Sequence, residues 1–344
     1  MLKKIRLKIV HIILISFILL FSLILICLTI GPTNISFLTV LITLMKKIPF
    51  LKQYISIYEY PIYIDTILFY VRLPRIITSL FVGASLSIIG ATYQGILKNS
   101  MADPYIIGVS SGAALGATVS IILNLNNYYL IILSFIGSIT TLYIVYSISI
   151  KNGIISTYSL LLGGVALSSL FSAITSFLMI LNKKNTQMIL FWMLGSFSGS
   201  CWNSVIIIIP PVILCFFFLM FFSRDLNILL FGEDIALSLG VDTYNLKKII
   251  LIISSITIGS SVAVSGPISF IGLIIPHISR LIFGPDYRYL LPISAFIGAC
   301  FTMIADTISR TLASPIEIPI GIITAFFGAP FFIYLLIKKN TEKF

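Results

Sequence analysis

Long apolar runs broken by short polar stretches make up most of the chain. A helical bilayer crossing takes about 20 predominantly apolar residues, and against that length the runs give ten candidate spans. They lie at 9–30, 76–97, 106–123, 128–150, 158–181, 203–222, 246–264, 268–283, 290–309 and 320–337. The run at 268 is short and almost no loop precedes it, so that boundary is the least distinct. The expectation is an all-α polytopic membrane protein with one transmembrane domain over residues 1–344. The first run follows Lys3, Lys4, Arg6 and Lys8. It is long enough to span and no clear small-x-small cleavage site follows it, so it reads as a retained span rather than a signal peptide.

Composition agrees with that pattern. Of 344 residues 58% are hydrophobic and 10% charged, where a soluble domain carries about 25% charged residues. Lipid must be the solvent for most of the surface, which excludes a soluble enzyme. The net charge of +11 would point to nucleic acid on a soluble protein. Here the basic residues cluster between apolar runs, the pattern that orients a membrane protein. An even number of spans puts both basic termini on one side. With that side cytoplasmic, the inner segments hold 14 Lys and Arg and the outer ones 8. Cys27, Cys201, Cys215 and Cys300 form no CxxC pair and read as small apolar fillers.

Chemistry is sparse. His277, Arg280 and Asp306 are ionisable residues within the later runs, and all three sit near predicted ends, within reach of water. A proton- or sodium-driven transporter would more often place a carboxylate at mid-span. Gly108-Val-Ser110-Ser-Gly112 has nucleophile-elbow spacing, but no strand precedes it and the only histidines are His11 and His277. No Gly-Lys dipeptide exists, so the chain has no Walker A loop, and any ATP must be hydrolysed by another polypeptide. Small residues at Gly83, Ser87, Ala91 and from Gly108 to Gly116 mark faces for close helix packing. Pro104, Pro267, Pro276, Pro315, Pro319 and Pro330 break or start helices near span ends, which favours a translocation path over a passive anchor.

Two loops exceed what the topology needs. The outer one, 31–75, is rich in Tyr and Ile and is expected at the interface. The inner one, 223–245, carries Leu226, Leu229, Leu230, Ile235, Ala236 and Leu239 at helical spacing. That apolar face needs a cover, either the lipid surface or a docked soluble subunit.

Several segments, in this order, resemble the permease subunits of type II ABC importers for iron–siderophore complexes, haem and vitamin B12, the FecCD/BtuC-like group. They are RLPR (72–75), GASLSIIGATYQGILKNSMADPYIIGVSSGAALGA (83–117), FWMLGSFSGSCW (191–202) and LNILLFGEDIALSLGV (226–241). SGPISFIGLIIPHISRLIFGPDYRYLLP (265–292), Ala305-Asp306 and EIPIGIITAFFGAPFFIYLL (317–336) complete the set, while the first 71 residues contribute almost nothing.

The resemblance implies a BtuC-like permease fold of about ten transmembrane helices in a bacterial cell membrane, with both termini cytoplasmic. It implies a homodimer or paired homologous permease with the path at its two-fold axis, and surrounding lipid. It also implies two P-loop ATPase subunits that bind the ATP, an extracytoplasmic substrate-binding protein, no cofactor on this chain and no nucleic acid. Spans five and ten, helped by three and eight, would line the path, and spans two to five would resemble an inverted copy of seven to ten.

Carried over by position, Arg72, Arg75 and Arg310 would meet acidic residues of the binding protein. Leu226, Leu229, Gly232, Glu233, Asp234, Ala236, Leu239 and Gly240 would couple to the ATPase. Asn99, Met101, Ser156 and Thr157 would form a cytoplasmic gate, and Ser168, Ser172 and Thr324 would line the path. The expected function is import of a ferric chelate by alternating access. Haem or cobalamin import by the same machinery, and an ion-coupled secondary transporter, are the alternatives.

Overall fold

The computed structural model describes residues 2–47, 61, 63–151, 154–155 and 157–341. The described residues form fourteen α-helices, beginning with α1 (Leu2–Thr29), α2 (Phe37–Lys46), α3 (Tyr63–Ile96) and α4 (Val109–Ile122). Next come α5 (Asn127–Ser149), α6 (Thr157–Leu181), α7 (Thr186–Met193), α8 (Trp202–Phe221) and the short pair α9 (Ser223–Leu229) and α10 (Glu233–Ser238). The last four are α11 (Thr243–Ser265), α12 (Ile271–Phe283), α13 (Tyr287–Thr311) and α14 (Ile320–Thr341). Ile150–Lys151 pairs antiparallel with Ile154–Ile155 in a minimal hairpin. Six helices among the described residues (α3, α5, α6, α8, α11 and α13) are long and apolar enough to cross a bilayer.

The second helix begins well before Ile76. The Arg72-Leu-Pro74-Arg75 stretch reads as a boundary, because Pro74 cannot donate to the carbonyl four residues back. The backbone absorbs it as a π-helical segment at Ile67–Arg72, in which the Leu73 N–H bonds Leu68. Wider i→i+5 bonding keeps the ladder running past the proline, so Tyr63–Ile96 is one continuous helix. In the outer loop, α2 is capped by the Ser36 hydroxyl, which accepts from the Thr39 N–H at 3.2 Å.

α3 is the axis of the fold, 78% buried over its most apolar stretch. Small residues let its neighbours approach to backbone contact. Gly83 faces the Gly298 carbonyl and Thr302 of α13, and Gly90 faces the Gly272 carbonyl of α12. α4 and α5 pack in the same way, Gly112 against the Gly137 carbonyl and Gly116 against that of Leu133.

At 14 and 13 residues, α4 and α12 extend about 20 Å and fall short of the roughly 30 Å hydrocarbon core. Each follows a break whose last residue is left-handed, Gly108 at φ 82° and Phe270 at φ 72°. The breaks support one another. The Ile268 N–H donates to the Tyr105 hydroxyl at 3.1 Å, and the Pro104 ring lies against Gly272. Irregular backbone survives at membrane depth only where protein satisfies it. A left-handed phenylalanine is unusual; its side chain sits against Gly328 of α14, so tertiary packing holds it there.

α6 is the opposite of α3. Only 11% of its apolar stretch is buried, and Leu162, Val165, Leu170, Ile174 and Phe177 are exposed. This chain leaves that helix uncovered on most of its circumference.

Candidate functional site

Two clusters lie at opposite ends of α3, one around α9–α10 and one around the three arginines. The α9–α10 segment was expected to be one amphipathic element, but Gly232 (φ 130°) and Gly240 (φ 81°) divide and end it. Nothing crowds either glycine, so the left-handed backbone and not space requires them. The split rotates the apolar residues onto two faces. Leu226 (1% exposed), Leu229 (1%) and Ala236 (0%) are buried in the main core cluster with Leu219, Leu246, Ile250 and Tyr287. These three cannot touch a partner, which corrects the expectation for them. The outward apolar set is Leu230, Phe231, Ile235, Leu237 and Leu239, with Phe231 75% and Leu239 64% exposed. Phe231 and Leu237 were missed because a single helical period places them off the stripe.

The segment is fastened to the two helices behind it. Glu233 pairs with Lys247 of α11 at 2.5 Å, and Asp234 is exposed beside it. The Asn227 amide donates to Asp286 at 2.7 Å and accepts the Tyr287 N–H at 2.9 Å, which ties α9 to the start of α13. Hydrogen bonding from Arg288 holds the Asp286 carboxyl down at about 2, and the Asn227 amide adds to that effect. Asn227, Lys247 and Asp286 carry no recognisable sequence signal, because their partners are distant along the chain.

At the other end, the three arginines expected to face a partner are buried within this chain: Arg72 is 3%, Arg75 5% and Arg310 3% exposed. Arg72 donates to the carbonyls of Leu28 (2.5 Å), Thr29 (3.1 Å) and Thr33, and Arg310 donates to that of Cys27 (2.6 Å). Together they satisfy carbonyls that the end of α1 leaves open. Arg75 donates to Asp306 at 3.0 Å and to both oxygens of Glu317 at 2.9 Å. Asp306 is 1% exposed, so it pairs with Arg75 instead of reaching water. A charge count bears on which side of the membrane a guanidinium lies, but not on the direction it points.

Of the gate residues, Asn99 accepts the Met101 N–H at 2.9 Å through its side chain and so closes its own loop, leaving Met101 43% exposed. Burial raises the neighbouring Asp103 carboxyl to about 6, against the opposing hydrogen bond from the Tyr105 N–H. Thr157 opens α6, while Ser156 lies outside the described residues. The path residues do not converge within one chain. The Ser168 hydroxyl accepts from Ser111 at 3.3 Å, Ser172 stands on the uncovered face of α6, and Thr324 is fully buried, donating to Gly321 at 3.2 Å. A cavity of about 460 Å³ opens instead between α7, the end of α11 and the start of α14. Phe191, Trp192, Ser196, Ser265 and Glu317 line it. These five residues come from three of the quoted motifs, but only the fold brings them together.

The architecture is that of a multi-pass membrane protein with an apolar surface on a short helical pair. Residues 18–338 match the FecCD transport family, and the chain belongs to that family. It is 42% identical over 275 residues to the cobalamin import system permease BtuC of Halobacterium salinarum, covering 79% of this chain and 73% of that one. It is 38% identical over 273 residues to the Fe(3+)-citrate import permease YfmD of Bacillus subtilis, covering 79% and 81%. A solved structure described as an inward-facing conformation, of metal-chelate ABC transporter type, superposes with a TM-score of 0.83. It is 34% identical and covers 95% of this chain and 99% of that one. The protein is thus an ABC importer permease, a class that works as paired permeases with ATPase partners.

Proposed function

We propose that this permease carries a ferric chelate of the iron–siderophore type inward by alternating access. Two P-loop ATPase subunits dock on the outward face of α9–α10, and a substrate-binding protein delivers the cargo at the other end. The observation that carries the docking reading is the segment's two-sidedness. Leu226, Leu229 and Ala236 anchor it in the core, and Phe231, Ile235, Leu237 and Leu239 remain open to a partner. Movement imposed on the open face passes to α11 through Glu233–Lys247 and to α13 through Asn227–Asp286. The uncovered α6 supplies an apolar face for a second permease copy. The basic charge at both chain ends supports a cytoplasmic location for them.

The likeness to a Fe(3+)-citrate permease and to a metal-chelate type transporter supports the choice of cargo. Cobalamin is the second reading, favoured by the 42% identical relative. Proteoliposomes holding the permease, its ATPase and its binding protein, with ATP inside, are expected to accumulate a ferric siderophore and not cyanocobalamin. Uptake should persist when ion gradients are collapsed. Accumulation of cyanocobalamin alone would overturn the cargo, and steady uptake without nucleotide would overturn the ATP-driven mechanism.

A further inference from the structure

The π-helical turn that carries α3 past Pro74 leaves one carbonyl without a donor in its own helix. In the i→i+5 register the Leu73 N–H serves Leu68. The next carbonyl, that of Phe69, falls to residue 74, a proline with no N–H to give. A backbone acceptor left unpaired is costly unless another group reaches it. The Trp202 indole does so: its N–H donates to the Phe69 carbonyl at 2.9 Å, from 133 residues away in the chain. Trp202 is 38% exposed, and a tryptophan serving only as an interfacial anchor would turn that N–H to water or lipid headgroups.

Trp202 opens α8, and the segment that joins α7 to α8 ends on it. Ser196, Ser198 and Gly199 of that segment form one wall of the cavity of about 460 Å³, whose Glu317 pairs with Arg75 at the end of the fold away from α9–α10. Backbone bonds fasten the first half of the wall. The Gly195 carbonyl accepts from the Ile320 N–H at 3.0 Å, and the Ser196 N–H donates to the Ser265 carbonyl at 2.8 Å. Phe197, fully buried, plugs the middle into the core. We infer that Trp202 is a positioning residue for this cavity: its bond to α3 fixes the far end of the wall and holds Ser198 and Gly199 at the mouth where cargo enters. Entry of cargo there rests on the proposed function, whereas the bond to Phe69 does not.

A thermal-melt cycle on the full-length permease tests the bond. Trp202→Phe removes the N–H together with some ring volume and is expected to lower the Tm. Pro74→Ala restores an N–H at position 74, so the helix can serve Phe69 itself, from that position or from Leu73 if the turn relaxes to α. The volume loss is the same in both backgrounds. Trp202→Phe is therefore expected to lower the Tm by less in Pro74→Ala than alone, and equal losses overturn the inference. Benzothienylalanine at position 202 keeps the shape of the indole without its N–H and leaves Pro74 in place; a lower Tm is expected, and an unchanged one overturns the bond. The positioning role is read in proteoliposomes holding ATPase, binding protein and internal ATP, with whichever of a ferric siderophore and cyanocobalamin the wild type accumulates as the probe. Trp202→Phe is expected to raise the half-saturating concentration of the loaded binding protein about fivefold, the equilibrium worth of one hydrogen bond, with a smaller change in maximal rate. A lower maximal rate at an unchanged half-saturating concentration assigns Trp202 to folding alone and overturns the role. Accumulation of cyanocobalamin by the wild type overturns the proposed cargo and leaves both tests of Trp202 intact.

Discussion

Replacing Asp306 with alanine removes one member of the ion pair that fastens α3 to α13. The pair is dry, with Arg75 5% and Asp306 1% exposed. It is also close: Arg75 Nε donates to both carboxylate oxygens at 3.0 Å, and Nη2 lies 2.9 Å from Oδ1 without hydrogen-bond geometry. Breaking a buried pair from one side strands the other charge and costs about 3–5 kcal/mol. Glu317 stays 2.9 Å from Nη1 and keeps part of the compensation, which places the expected loss near the low end, about 3 kcal/mol. For a chain of this length that lowers the Tm by about 4 °C. Glu317 is 36% exposed, so Glu317→Ala removes a half-solvated partner and is expected to cost under about 1 kcal/mol. Arg75→Met/Asp306→Leu, which replaces both charges with apolar groups, should recover most of the loss. The assay is a thermal melt of the full-length protein in detergent, followed by fluorescence-detected gel filtration. Equal shifts for Asp306→Ala and Glu317→Ala would refute the argument. So would an unaltered Tm for Asp306→Ala, the outcome expected if Arg75 were reserved for another protein's carboxylate.

Other perturbations separate the two faces of the α9–α10 segment. Leu229→Ala opens a cavity in the core and should destabilise the protein by about 2–5 kcal/mol. Leu239→Ala, at 64% exposure, should leave the Tm unchanged but reduce co-purification of the ATPase; the reverse pairing of effects would show that the faces are misassigned. Gly90→Val drives a side chain into the Gly272 carbonyl and should cost at least about 1–3 kcal/mol, read as a loss of monodisperse protein on gel filtration. Asp286, held at about 2 against an ordinary 3.8 by hydrogen bonds from Arg288 and Asn227, stabilises the folded state above pH about 4, and that contribution disappears as pH falls from there toward 2. A Tm–pH series should therefore show wild type above Asp286→Asn at neutral pH and the two converging under acid. A constant gap between them would remove the carboxylate from the clamp.

The apolar runs were legible as helices because a bilayer demands long apolar segments, and a helix occupies each run, though only six among the described residues are long and apolar enough to cross. The small residues at Gly83, Gly112 and Gly116 were legible as contact faces for the same local reason. The continuation of α3 back to Tyr63 was not. A proline normally marks a boundary, and the π-helical turn that tolerates Pro74 leaves no mark in composition. Nor was the Arg75–Asp306–Glu317 network, whose members lie 231 and 242 residues from Arg75.

By itself, the order of apolar and polar residues determined the solvent of this protein, the absence of a Walker A loop and the family it resembles. Each of these depends on local spacing or local chemistry. Tertiary structure alone decided which way the functional side chains point. It turned three arginines inward to helix ends and carboxylates, buried Leu226, Leu229 and Ala236, and left Phe231, Leu237 and Leu239 outside. Direction is set by what packs behind a residue, and in a bundle held together by helices far apart in the chain, that neighbour is not written nearby.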